Sequence, residues 1–229
     1  MILGIETSTR VCSVALADAD RVVVEYTLNA GVHHAERLVP MVTSVLEQAD
    51  RAPADLSGVA VASGPGSFTG LRIGMSTAKG LCAGAGLALI AVPTLEALAH
   101  QASPQDVAVC PVLDARRGQV YAGLYRCQDG RLVRLAPDGV VDVADLARQL
   151  PRPVLLLGEG AEAYRDEIAC SLGEAAQFAP AHLGLPRAGQ VALLGARKAA
   201  AGDTEDLSDA EPLYLRRSQA ERARAEGPR

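Results

Sequence analysis

The sequence predicts an α/β protein of two related halves, and three observations carry that expectation. The chain opens with three short β-prone runs too closely spaced for anything but antiparallel hairpins. Strands then alternate with segments of helical period, and after residue 107 a shorter cycle of strand, hairpin, strand and helix begins.

The opening runs are residues 2–5, 11–17 and 21–28, separated by Glu6-Thr7-Ser8-Thr9-Arg10 and by Asp18-Ala19-Asp20. A parallel return needs about a dozen residues, so these form a meander. From 34 to 49 the period turns helical, with Leu38, Met41 and Val45 on one face and Val39, Val42, Leu46 and Ala49 on the next. Pro40 lacks an N–H and should kink this helix or shift its effective start. A strand at 59–62, a helix at 71–85, a strand at 87–92 and a helix at 94–101 follow. Parallel strands added to a meander give a three-layer α/β unit.

Ser103-Pro104-Gln105-Asp106 is a polar break before a strand at 107–113. Runs at 119–127 and 131–136, joined through Gln128-Asp129-Gly130, carry a hairpin signal. A strand at 154–157, Gly158-Glu159-Gly160, a helix from about Ala161 and a last long helix at 191–201 complete the cycle, without a residue-by-residue repeat. Residues 202–208 read as a loop, 212–216 as a short ordered ending and 217–229 as a charged, mobile tail.

A 49% hydrophobic content is ample for a core, and a net charge of −5 argues against a generally basic nucleic-acid-binding surface. No run approaches about 18 apolar residues, and the N-terminus lacks the charged start of a signal peptide. Cys12, Cys82, Cys110, Cys127 and Cys170 are an odd number without a CxxC pair, which reads as reduced thiols in the cytosol rather than a zinc site. With no Trp and two Phe, platforms for stacking bases are few.

The stretch most charged with information is SGPGSFTGLRIG at 63–74. Glycines and a proline between strand and helix make a tight turn, with Ser67 and Thr69 able to cap the helix. Such a turn can hold an anion or can be purely structural. Gly70-Leu71-Arg72 stands where a Walker loop needs Gly-Lys-Ser/Thr, and GPGSFTG lacks the spacing of a nucleophile elbow. His33-His34 with Glu36 has no third metal ligand nearby and reads as structural or surface, while His100 and His182 are isolated.

Glu6-Thr7-Ser8-Thr9, His34 with Leu38 and Pro40, the whole of SGPGSFTGLRIG, Val92-Pro93-Thr94-Leu95, and Pro212 through Arg216 resemble the bacterial TsaB (YeaZ) family, closely over the first 100 residues and loosely beyond. The resemblance implies an actin-like, RNase H-like (ASKHA) two-lobed α/β fold with a mixed sheet flanked by helices in each lobe. The lobes would span 1–103 and 104–216, with the helix at about 188–201 packing back on the first. It also implies a cytoplasmic, non-catalytic dimerisation subunit, without cofactor or membrane contact. Its task would be threonylcarbamoylation of the adenosine beside the anticodon in tRNAs reading A-starting codons. The implied partners are the catalytic paralogue TsaD and the ATPase TsaE, with a homodimer when TsaD is absent and tRNA met only through the complex.

In the paralogue two histidines with three residues between them hold a metal, and the matching positions here are Thr94 and Leu98, of which leucine cannot ligate. The paralogue's glycine-rich phosphate turn reads Asp114-Ala115-Arg116-Arg117-Gly118. Glu6, Ser67 and Gly158 are the remaining weak nucleotide candidates, and an actin-like ATPase or phosphotransferase using them is the alternative function. The expected interface comprises Leu38, Met41, Val42 and Val45 of the first long helix and Leu71, Arg72, Met75, Ser76 and Lys79 of the second, forming half of a four-helix bundle with the partner's equivalents. Arg216, Arg217, Arg222 and Arg224 could touch tRNA directly, but Glu221 and Glu226 dilute that charge, which favours a solvated tail.

Overall fold

Two five-stranded mixed sheets of the same topology form the framework of the computed structural model, which describes residues 1–31, 33–102 and 107–216. In the first, β1 (Ile2–Glu6), β2 (Cys12–Asp18) and β3 (Arg21–Leu28) are the expected antiparallel meander. β4 (Gly58–Gly64) adds parallel to β1, and β5 (Ala88–Pro93) adds parallel to β4, giving the order β3-β2-β1-β4-β5. In the second, β6 (Ala108–Arg116), β7 (Gln119–Gln128) and β8 (Arg131–Asp142) repeat the meander. β9 (Val154–Leu157) and β10 (Ala176–Phe178) repeat the parallel additions, so the order β8-β7-β6-β9-β10 matches strand for strand. This is the two-lobed actin-like fold.

Alternation along the strands sorts the core into layers. Val59 and Val61 of β4 face α1 (His34–Gln48) and α2 (Phe68–Ala85), in one cluster with Leu38, Val45 and Met75. Ala60 and Ala62 face the other way, onto Val191 and Leu194 of α7 (Ala188–Ala200). That helix lies very close to the sheet. A Cβ on Gly4 would collide with the Ala188 carbonyl, and one on Gly195 with Ala60, so bare backbones at these two positions permit the approach. The second sheet packs α4 (Val143–Gln149), α5 (Glu159–Ala163) and α6 (Arg165–Leu172) on one face. Its other face packs against Leu95 and Leu98 of α3 (Thr94–His100).

Several boundaries differ from the sequence expectation for physical reasons. α1 runs continuously through Pro40. α2 begins at Phe68 rather than 71, because Ser67 caps it by accepting from the Gly70 N–H at 3.3 Å. β8 continues past the expected end at 136 to Asp142, through Pro137 and Gly139; it is an edge strand, where a missing N–H is tolerated. The helix from Ala161 is two short helices, α5 and α6. The break at 103–106 and the tail at 217–229, with Arg217, Arg222 and Arg224, lie outside the described residues.

Candidate functional site

The glycine loop grips the turn between β1 and β2. Ser67 N–H donates to the Ser8 carbonyl at 2.6 Å, and Thr7 Oγ1 donates to the Gly70 carbonyl at 2.8 Å. A Cβ on Gly66 would meet the Ser8 carbonyl, one on Gly70 the Thr7 carbonyl, and one on Gly74 the Thr7 hydroxyl. The glycines are therefore needed for chain-on-chain packing, the structural of the two readings. His34 joins the same knot. Its Nε2 lies 2.8 Å from the Thr9 carbonyl, which can only accept, so that nitrogen carries the proton.

The nucleotide candidates are not brought together. Glu6 is fully buried and is held by the Ser8 N–H at 2.5 Å, while its Oε2 has no partner among the described residues. Burial pushes its carboxyl up to about 7, against which the Ser8 hydrogen bond works only partly. Gly158 has φ +108°, but the space beside it is filled by the Val112 carbonyl and Leu98. Ser67 alone lines the cleft between the lobes, and its hydroxyl is already the cap of α2.

That cleft has a volume of about 880 Å³ and is walled by Ser8 to Arg10, the loop at 65–69, the turn at 113–117, Glu159 and the segment 213–216. The last segment straps the lobes together: Leu213 N–H donates to Ser63 at 2.7 Å, and Arg216 Nη1 donates to the Ala115 carbonyl at 2.6 Å. Its Tyr214 ring packs 4.9 Å from Phe68. Glu159 is raised by burial and by the neighbouring Asp114 charge, with Arg10 and Arg116 opposing. Thr94 and Leu98 are both fully buried, and among the described residues no cluster of His, Cys, Asp and Glu is placed to hold a metal.

The helix pair requires a correction. Leu38, Met41, Val42, Val45 and Met75 belong to the core beneath α1 and α2, where they cover the chain's own sheet, and Leu71 is fully buried beside Gly64. The wide apolar cover of these helices misled, because one face of each is spent internally. Arg72 and Ser76 point outward and Lys79 is half-buried, with Nζ donating to the Ala210 carbonyl at 3.1 Å. Around them runs a shallow groove of about 540 Å³ lined by Ala35, Phe68, Thr69, Arg72, Ile73 and Ser76. Val39 beside it on α1 is 57% exposed, and nothing lies within 4 Å of a Cβ on Gly80 or Gly84. Sequence reading missed this groove, and it missed Phe68 and Tyr214, whose pairing has no local signal.

Residues 28–224 match the family model described as TsaD, tRNA N6-adenosine threonylcarbamoyltransferase. The tRNA threonylcarbamoyladenosine biosynthesis protein TsaB of Bacillus subtilis is 40% identical, covering 96% of both chains. The chain belongs to the TsaB family. TsaB of Escherichia coli is 34% identical, also over 96% of each chain, so the likeness extends well into the second lobe of this TsaB-family chain. Among solved structures, YeaZ from Pseudomonas aeruginosa superposes with a TM-score of 0.80 at 29% identity, covering 93% of this chain and 99% of that one. The ethanolamine utilization protein EutJ from Carboxydothermus hydrogenoformans, at TM-score 0.52 and 16% identity over 84% of this chain and 89% of that one, shares the fold alone.

Proposed function

We propose that this chain is a non-catalytic scaffold subunit in threonylcarbamoylation of the adenosine next to the anticodon of tRNAs reading A-starting codons. It acts by binding and activating a TsaD-like catalytic subunit. The observation that carries this reading is the outer face of α1 and α2, where an apolar groove adjoins the exposed Val39 and the open surface at Gly80 and Gly84. Helices thinned to glycine on an outward face allow another helix to approach closely. The contacts are Arg72, Ser76 and Lys79 with Val39 and Ile73, while Leu38, Met41, Val42, Val45, Leu71 and Met75 stiffen them from beneath. The names of the relatives support the pathway, and the buried Thr94 and Leu98 support the absence of a metal centre.

On this reading a TsaE-like ATPase joins the pair, two copies of the chain associate through the same helices when the catalytic subunit is absent, and tRNA modification occurs in the cytoplasm. The working division is two lobes, 1–103 and 104–216. The test is to mix the chain with a TsaD-like subunit and measure tRNA modification and co-elution. Val39→Asp with Ser76→Glu, both at exposed positions, should abolish both without lowering Tm; unchanged co-elution overturns the assignment.

The other reading, a weak ATPase or phosphotransferase using Glu6, Ser67 and Gly158, has the size of the cleft in its favour and against it that Ser67 alone of the three lines that cleft. Calorimetry of the isolated chain with magnesium-ATP separates them, since the scaffold reading expects no tight heat signal.

A further inference from the structure

The chain contains five Tyr, two Phe and no Trp. Three of these seven rings, Phe68, Tyr121 and Tyr214, line the cleft between the lobes. Phe68 and Tyr214 pair at 4.9 Å with an interplanar angle of 32°, and they remain 41% and 40% exposed. Four arginines line the same cleft, Arg10, Arg116, Arg117 and Arg216, against two carboxylates, Asp114 and Glu159. Four positive charges less two negative ones leave this wall at +2 in a protein whose net charge is −5.

The arginine turn is held in an unfavourable conformation. Arg116 and Arg117 both adopt left-handed φ, at +65° and +60°, which costs a non-glycine residue about 1–2 kcal/mol each. Asp114 Oδ1 fixes the turn by accepting from the Arg116 N–H at 2.7 Å, at a break in the β6–β7 register. Positive φ here is the geometry of the tight β6–β7 hairpin, shared with Ala19 and Asp129 at the other two hairpin turns, and its consequence is where the side chains stand. Both guanidinium-bearing residues are exposed as a result.

We propose that the mouth of this cleft binds a single-stranded segment of RNA. The arginines neutralise successive phosphates and the Phe68–Tyr214 pair stacks a base, the combination of basic track and exposed aromatics that single strands require. A free nucleotide fits less well, because Gly66, Gly70 and Gly158 are closed by the chain's own carbonyls and leave no bare backbone to cradle a compact polyphosphate. Which RNA is met rests on the tRNA-modification reading above; binding of an RNA strand does not.

The test is fluorescence anisotropy of a labelled oligouridylate with the full chain at low salt. Binding should weaken with salt at a log–log slope of about −2 to −3, the signature of three or four phosphate contacts to a single strand. Arg116→Glu with Arg117→Glu should lower affinity at least about tenfold and flatten the slope, whereas Tyr214→Ala should lower affinity roughly tenfold and leave the slope unchanged. Undetectable binding overturns the proposal. So does unaltered affinity in both variants at unchanged Tm, or displacement of the RNA by equimolar magnesium-ATP, which would reassign the cleft to a mononucleotide. Co-elution with the catalytic subunit reports on the helix face alone, so its failure is distinguishable from failure here.

Discussion

Thr7 and Gly70 hold each other from both sides: the threonine hydroxyl donates to the glycine carbonyl at 2.8 Å, and the threonine carbonyl occupies the space where a glycine Cβ would stand. Adding a methyl to Gly70, or to Gly74 whose Cβ would strike the same hydroxyl, should destabilise the fold by about 1–3 kcal/mol through overpacking. Gly80→Ala, six residues further along α2 and in open space, should stabilise it by about 1 kcal/mol. Urea unfolding of the three variants checks both signs.

Glu6 should make stability fall as pH rises toward neutrality. Its folded pKa, about 7, lies above the ordinary 4.5, so its contribution is fully present below pH 4.5 and lost as pH passes through 7. Glu6→Gln keeps an acceptor for the Ser8 N–H and removes the titration. Above pH 8 the variant should be the more stable by up to about 3 kcal/mol, and the decline between pH 4.5 and 7 should flatten. Parallel Tm-against-pH curves for the two proteins would contradict this.

Met75→Glu and Val45→Arg should unfold the first lobe rather than block docking selectively. Both side chains are buried, at 3% and 0% exposure, in the cluster beneath α1 and α2. An uncompensated charge there costs several kcal/mol. Loss of the cooperative thermal transition is the expected readout, in contrast to the surface pair Val39→Asp and Ser76→Glu.

Tyr125 donates to Asp138 Oδ1 at 2.6 Å beneath Arg134, which reaches across to Glu96 of α3 at 3.5 Å. Tyr125→Phe leaves a buried carboxylate without its donor and should cost about 1–3 kcal/mol. Glu96→Gln removes only a part-exposed ion pair and should cost less than about 1 kcal/mol. Chemical denaturation separates them.

Most of the framework was readable locally. Spacing alone dictated the meander, and the glycine turn announced α2, although its cap at Ser67 starts the helix three residues earlier than its apolar period does. α4 and β10 were not visible because each is too short to show a period, at seven and three residues. The site was harder. Periodicity located the apolar faces of α1 and α2 but could not tell which would face inward, since Met75 and Ser76 are neighbours on one helix and only the sheet decides between them. The cleft wall unites Arg10, Arg116 and Tyr214, which no short-range pattern connects.

The placement of α7 has a bearing on synthesis. The first sheet is laid down by residue 93, yet the layer over Ile2, Ala60 and Ile90 is supplied by residues 188–200. While the chain is being translated, that greasy surface emerges from the ribosome and waits for nearly the whole of the second lobe to follow, a window in which a chaperone would find its natural client.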